Sequence, residues 1–255
     1  MKLEVIVATM NQDDLSILKK MNINSDVIIG NQAKRNEIIE TTYNSYKVKY
    51  LTFNEKGVGL NRNNCIMRAT GDICVFADDD IVFVDNYCEI ITDEFKRQPK
   101  ADVIVFNIHE NVITRYINKK RRRVSFLNGF RYGAVRIAFK LSSIKEAGIF
   151  FNLSFGGGTK YSHGEDVLFI QECLKKGLKV YTSPQFISSL LDDRESTWFK
   201  GYNDKFFYDH AALYYTVSKK MWKLLCLQDA FRHHKKYGYS FLKCYKKMIS
   251  FKKRR

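Results

Sequence analysis

The chain lacks the features that mark several common protein classes. Its six cysteines, Cys65, Cys74, Cys88, Cys173, Cys226 and Cys244, are scattered with no C-x-x-C pair. Several sit in apolar runs, so they read as small core residues in a reducing compartment. No stretch approaches the roughly 18 uninterrupted apolar residues of a membrane span, because AALYYTVSKKMWKLLCL is broken by Lys219, Lys220 and Lys223. The opening MKLEVIVATM has one lysine and a short apolar run broken by Glu4, too brief and too acidic for a secretion signal. Internal repeats and low-complexity linkers are absent. No G-x-G-x-x-G follows the first apolar run, where ATMNQDD stands, and G-x-x-x-x-G-K-[ST] does not occur. A dinucleotide-binding Rossmann domain is therefore disfavoured, and phosphates, if they bind, call for a metal.

What is present is enough apolar material for one large core: 255 residues, 45% hydrophobic. The formal charge of +16 is concentrated at one end, since residues 231–255 hold ten Lys/Arg and no Asp/Glu. That tail interleaves its basic residues with Phe231, Tyr237, Tyr239, Phe241, Leu242 and Phe251. The pattern suits an interfacial helix on an anionic membrane, where each basic residue near the surface contributes about 1 kcal/mol. Nucleic acid is the rival partner for such a stretch and is not expected here. The run KKRRR at 119–123 reads as a solvated loop.

Short Val/Ile/Phe runs alternate with amphipathic segments over the first 185 residues: LEVIVAT, SDVIIG, KVKYLTF, DICVFAD and ADVIVFNI, separated by DLSILKKM, GLNRNNCIMRA and NYCEIITDEFKRQ. This is the pattern of an α/β fold with a mainly parallel sheet and helices on both faces. A short helix is expected after residue 140, capped by Ser142 or Ser143, and another opens at Glu165 and Asp166 and stops at Gly177. The segment KVYTSP reads as a strand, and beyond a boundary near residue 195 the chain reads as helical. The expected division is a catalytic domain over 1–195 and a basic, aromatic helical extension over 196–255.

Two acidic groups stand out. Asp78, Asp79 and Asp80 end an apolar strand, and in parallel sheets ligands collect at that end. Three adjacent carboxylates repel one another, so they need a cation, a donor-rich ligand or open water. The second group, Glu165 and Asp166, opens a helix about 85 residues later, where acids also simply favour the helix dipole. Together they suit sugar transfer from a nucleotide diphosphate. A divalent cation on the first group neutralises the leaving diphosphate, and a carboxylate across the anomeric carbon takes the acceptor's proton. A metal-dependent nuclease or nucleotidyltransferase also clusters acids this way, and a binding subunit without activity is a further alternative.

EVIVATMN, DVIIGNQ, GVGLNRNNCIMRATGDICVFADDDI and FGGGTKYSHGEDVLFIQECLKKGLKVYTSP, in that order, resemble the landmarks of GT-A fold, family 2 glycosyltransferases over about residues 3–190. The family's members are inverting enzymes of bacterial surface polysaccharide synthesis, using sugar nucleotides with Mn²⁺ or Mg²⁺. The resemblance implies a base pocket lined by Ala8, Thr9, Met10 and Asn11, with Asn31 at the position of an acid that often closes the second strand. Ala8 stands for a usual Pro, Met10 for a usual Tyr, and Asn31 with Gln32 for an acidic pair, so a uridine donor is expected with less charge assistance. Arg62 corresponds to the Arg that approaches the nucleotide. Asp78 is expected on ribose and metal, Asp80 on the metal, and Asp79 orients its neighbours or the sugar. Asp166 is the implied base, Glu165 contacts donor or acceptor, and Gly157 belongs to a loop, Gly156–Gly158, that closes over the sugar. His210 is a candidate third metal ligand and Trp198 a candidate acceptor platform, while His233 and His234 read as part of the basic face. The implied acceptor is a saccharide, or one carried on a polyprenyl diphosphate, with the enzyme cytoplasmic and peripheral at the inner face of the cell membrane.

Overall fold

Alternation along the first strand sorts its side chains into two cores. In the computed structural model, which describes residues 1–112, 115–191, 199 and 201–250, β1 (Leu3–Met10) sends Val5 and Val7 to one face of the sheet and Ile6 to the other. All three are fully buried, as expected of a strand covered on both sides. Parallel to β1 run β2 (Asp26–Gln32) on one side and β5 (Ile73–Asp78) on the other, and β4 (Tyr46–Phe53) lies parallel beyond β2. Between β2 and β4 in sequence comes β3 (Glu37–Tyr43), paired antiparallel to β4 at the sheet's outer edge. The connecting turn holds Asn44 and Ser45 at φ of 48° and 70°, the left-handed pair that a two-residue hairpin needs. The sequence reading has no strand here, because β3 is exposed along almost its whole length and carries no buried stripe to betray it.

Past β5 the sheet loses its parallel character. There β8 (Ile137–Lys140) fits antiparallel between β5 and β7 (Val103–His109), followed by β9 (Val180–Leu190), parallel to β7, and by β6 (Ile81–Phe83), antiparallel to β9. The full order is β3-β4-β2-β1-β5-β8-β7-β9-β6. One face is covered by α1 (Ser16–Lys20) and α3 (Tyr87–Arg97) through Ile17, Leu18, Ile91 and Phe95. The other is covered by α2 (Val58–Arg68), α4 (Leu141–Glu146) and α5 (Glu165–Lys175) through Cys65, Ile66, Ile144, Phe169 and Ile170. The expected α/β architecture with helices on both faces is therefore present, with an antiparallel insert.

A third core joins α6 (Asp204–Val217), α7 (Trp222–Tyr237) and α8 (Phe241–Ile249) to Val167 and Leu168 of α5. Gly164, at φ +102°, permits this contact, since a Cβ there would come within 2.9 Å of Leu213 on α6. The boundary expected near residue 195 lies outside the described residues. Two local expectations are corrected. Helix α4 begins at Leu141 with no side-chain cap, so Ser142 and Ser143 lie inside it, and the Ser143 hydroxyl donates instead to Asp102 (2.8 Å). The 119–123 run is more than a solvated loop: Arg121 Nε donates to the buried Glu94 of α3 (3.0 Å), and the Arg122 carbonyl accepts from Thr182 of β9 (2.9 Å).

Candidate active site

The register of β1 against β5 pairs Ala8 with Asp78 and so brings the following residues of both strands together. There the Thr9 hydroxyl donates to Asp79 Oδ2 at 2.6 Å. The middle aspartate is thereby oriented from the neighbouring strand. The Asp80 carbonyl accepts from the Leu191 N–H (2.7 Å), which fixes the turn after β5. Burial, reinforced by the charges of Asp78 and Asp79, pushes the Asp80 carboxyl up to about 6.

Arg62 on α2 joins the two acidic groups. Its side chain is 2% exposed; Nη2 donates to Asp78 Oδ1 at 2.5 Å and Nη1 to Glu165 Oε1 at 3.2 Å. The planar fork of a guanidinium can span two carboxylates in this way, where an ammonium is a single point. Its Cζ lies over Phe151, 5.3 Å from the ring centroid. The next residue, Asn63, holds Phe151 in place through its backbone, donating to the carbonyl (3.0 Å) and accepting from the N–H (2.8 Å). The Arg-Asn pair thus works as a unit, Asn63 fixing the surface on which Arg62 rests.

Asp166 is partly buried beside Glu165 and makes no ion pair among the described residues. Burial first, and then the charge of Glu165, push it up to about 7. Its Oδ1 accepts from the Val167 N–H (2.7 Å), and Oδ2 faces Gly133, where an added Cβ would lie 3.5 Å away. A carboxyl with this affinity for protons suits transfer from a hydroxyl near neutral pH.

In the glycine loop the steric demand falls on Gly156, one residue before the Gly157 expected to act. Gly156 sits at φ +103°, and a Cβ there would come within 2.9 Å of the Glu165 carboxyl carbon and 2.7 Å of Val58. Gly157 faces open space and its carbonyl accepts from Val58 N (3.2 Å), tying the loop to the start of α2. Gly156→Ala is expected to cost about 1–3 kcal/mol through backbone strain and to displace Glu165, whereas Gly157→Ala should cost less than about 1 kcal/mol. Thermal unfolding of the two variants checks this; equal losses would contradict it.

Residues 15–155, more than half of the chain, match the family model described as Glycosyl transferase family 2. The chain belongs to that family. Its fold is also that of solved glycosyltransferase structures. S. aureus TarS 1–349 in complex with UDP-GlcNAc superposes with a TM-score of 0.64 at 15% identity, covering 94% of this chain and 74% of that one. TarS 1–349 alone gives 0.62 at 13% identity, covering 100% and 92%. Its complex with UDP gives 0.61 at 16%, covering 91% and 72%. No curated protein matches the sequence. As a family 2 glycosyltransferase of GT-A fold, the protein uses a nucleotide-sugar donor.

The remaining expected residues of this glycosyltransferase fall in two places. In the β1 loop, Asn11 is exposed at φ 53° with its N–H on the Gln32 carbonyl (3.0 Å). Asn31 is fully buried: its Oδ1 accepts from Gln12 N (3.0 Å) and its Nδ2 donates to Gln12 O (2.9 Å). The side chain is spent on holding the loop, a correction to the expectation that its carbonyl meets a base. Gln32 acts likewise, accepting from Gly57 N (2.8 Å) before α2. The two amides that replace an acidic pair therefore brace the loops on either side of β2.

His210 is corrected too. Its Nδ1 lies 2.9 Å from His163 Nε2 and its Nε2 3.1 Å from the Tyr214 hydroxyl, so both ring nitrogens are engaged in the contact between α6 and the approach to α5. No group of three or more His, Cys, Asp or Glu side chains poised around one metal position occurs among the described residues. Trp198 lies outside the described residues. His233 is half-exposed on α7, 3.9 Å from Asp229, and the His234 Nδ1 lies 3.1 Å from the Phe231 carbonyl. The contacts of Gly156 with Glu165 and of Gln32 with Gly57 are what the sequence did not disclose. The three glycines gave no sign of which one meets Glu165, because that depends on a contact between distant segments.

Proposed function

We propose that the protein is an inverting glycosyltransferase that moves a sugar from a uridine diphosphate donor to a hydroxyl of a saccharide acceptor. The observation that carries this reading is the buried Arg62, whose guanidinium holds Asp78 and Glu165 in one site with Asp166 beside them. Asp166 removes the proton from the attacking hydroxyl, and its raised affinity for protons matches that task. Glu165, fixed by Arg62, keeps acceptor or donor sugar in line. Thr9 aims Asp79, and the glycine loop lets backbone approach the sugar closely. The TarS structures with UDP-GlcNAc and UDP lend support to a uridine donor on this fold.

The Asp78–Asp80 cluster fits a divalent cation: all its donors are oxygen, and burial next to like charges raises Asp80 to about 6. Two carboxylates suit Mg²⁺ or Mn²⁺, which complete their shells with phosphate and water. Asp80 and Asp78 would hold the ion, which when bound neutralises charge on the leaving diphosphate. Calorimetry with UDP tests the reading. Mn²⁺ should strengthen UDP binding, and the gain should shrink as pH falls through about 6, because protonating Asp80 removes a ligand. Binding of an oligonucleotide in preference to UDP would favour a nuclease or nucleotidyltransferase instead.

The reading extends to a lipid-linked acceptor of bacterial surface polysaccharide synthesis, met at the inner face of the membrane. No helix among the described residues is long and apolar enough to cross a membrane. On α7, Leu224, Leu227 and Phe231 share one helical face and are exposed, with Leu242 of α8 also exposed, amid Lys223, Lys235 and Lys243. Apolar side chains ringed by cations suit an anionic leaflet. Leu224→Ser with Phe231→Ser should reduce co-sedimentation with phosphatidylglycerol vesicles at least severalfold; unchanged co-sedimentation would sink the membrane assignment.

A further inference from the structure

Arg136 is 1% exposed, and it has no carboxylate partner among the described residues. Its Nε donates to the Phe106 carbonyl (2.7 Å), its Nη2 to the Asn107 side-chain carbonyl (2.9 Å), and its Nη1 has no hydrogen-bond partner among the described residues. Among the described residues, the groups acting on it electrostatically are the Tyr132 phenol and Arg115, the latter of like sign. Burial lowers the guanidinium to about 10, so it is still a cation at neutral pH. A buried cation satisfied only by neutral groups, with one donor nitrogen idle, is an expensive arrangement that a bound anion would relieve.

That idle donor belongs to a residue lining a cavity of about 120 Å³. One probe sphere of water takes roughly 10–15 Å³ on this measure, so the space admits an acid group rather than a lone water. Besides Arg136 its walls include Asn107, His109, Arg115, Tyr116 and Phe186. Glu110 also lines it, but is paired with Arg115 through side chain and backbone. Among the described lining residues, the uncompensated charge is therefore that of Arg136. Phe186 and His109 stack with ring centroids 4.2 Å apart, giving a flat wall against which a sugar ring can lie.

The cavity sits at the reacting edge of the sheet. It lies at the carboxyl end of β7 and directly before β8, whose Ala138 pairs with Val75 of the strand that ends in Asp78. Arg115 is near enough to act electrostatically on Asp80. The short segment Gly133–Arg136 runs from the Asp166 carboxyl to the cavity, so the base and the cavity lie at the two ends of four consecutive residues.

We propose that this cavity is an acceptor subsite for an oxyanion, and that the acceptor saccharide carries a carboxylate or phosphate seated on Arg136. The assignment rests on the glycosyltransferase reading above, and it adds the charge of the acceptor. The test is calorimetry on the full chain with UDP and Mn²⁺ present, titrating methyl β-glucuronoside, methyl β-glucoside 6-phosphate and neutral methyl β-glucoside. At least one charged glycoside should bind tenfold or more tighter than the neutral one, and which of the two binds tighter identifies the acid group. Arg136→Met should abolish that preference while leaving UDP affinity within twofold. Should Arg136→Met fail to fold, Arg115→Gln serves, since it exposes the Glu110 charge on the cavity wall and should weaken only the charged glycosides, threefold or more. Equal binding of charged and neutral glycosides, or a preference that survives in the folded variant, would overturn the subsite. Failure to bind UDP at all would instead strike at the glycosyltransferase reading, so the two outcomes are separable.

Discussion

Replacing Asp166 by asparagine is expected to slow sugar transfer by about a hundred- to ten-thousand-fold while leaving UDP and Mn²⁺ binding unchanged. The amide keeps the shape of the side chain and its acceptor for the Val167 N–H, but cannot take a proton. The same carboxyl shapes the pH dependence. Burial and the charge of Glu165 raise it to about 7, so in the wild type kcat/KM should fall about tenfold per unit below pH 7 as the base form disappears. Stability moves in the opposite sense. A carboxyl whose affinity for protons is higher folded than unfolded contributes stability below the unfolded value near 4, and that contribution is lost as pH rises through about 7. Asp166→Asn, which never ionises, should therefore raise the melting temperature at pH 8 and lose that advantage near pH 4. A variant that transfers sugar at the wild-type rate would refute the base assignment, and one no more stable at pH 8 would refute the raised affinity.

The second large effect belongs to Arg62. Arg62→Met leaves the Asp78 and Glu165 carboxylates facing each other with no cation between them. Removing one member of a buried ionic group typically costs about 3–5 kcal/mol. Asp78 is 39% exposed and its share is screened by water, so the lower end, about 3 kcal/mol, is expected. The loss should appear as a lower denaturant midpoint with an unchanged slope. Arg62→Lys should recover little, because one ammonium cannot reach both carboxylates in the geometry a fork allows. Transfer should fall sharply in both variants, since Glu165 loses the partner that fixes it.

These two residues also show where sequence is informative. Asp78 and Glu165 could be placed at a strand end and a helix start because apolar periodicity defines those elements locally. That Arg62 joins them could not be read, since its contact with Glu165 spans 103 positions and depends on α2 and α5 packing against the same face of the sheet. Asn31 shows the complementary limit. An amide where an acid is usual looked like a weakened contact to a base, yet its partner is the backbone of Gln12, which follows a turn whose path no pattern encodes. His210 stood at a plausible distance along the chain, and α6 turns it toward His163 instead. The exposed β3 was invisible for want of a buried face, although the Asn44-Ser45 turn was its one local signal. Arg136 gave none, because an arginine in an apolar stretch does not disclose whether an acid lies near it in space.

The most direct measurement is proton NMR of the protein with Mn²⁺ and a panel of α-linked UDP-sugars together with saccharide acceptors. The account predicts that one donor is consumed with release of UDP, that the new glycosidic bond has the β configuration, and that both changes are at least about a hundredfold slower with Asp166→Asn. Transfer with the α configuration retained, or transfer undiminished in that variant, would contradict direct attack by a hydroxyl that Asp166 deprotonates.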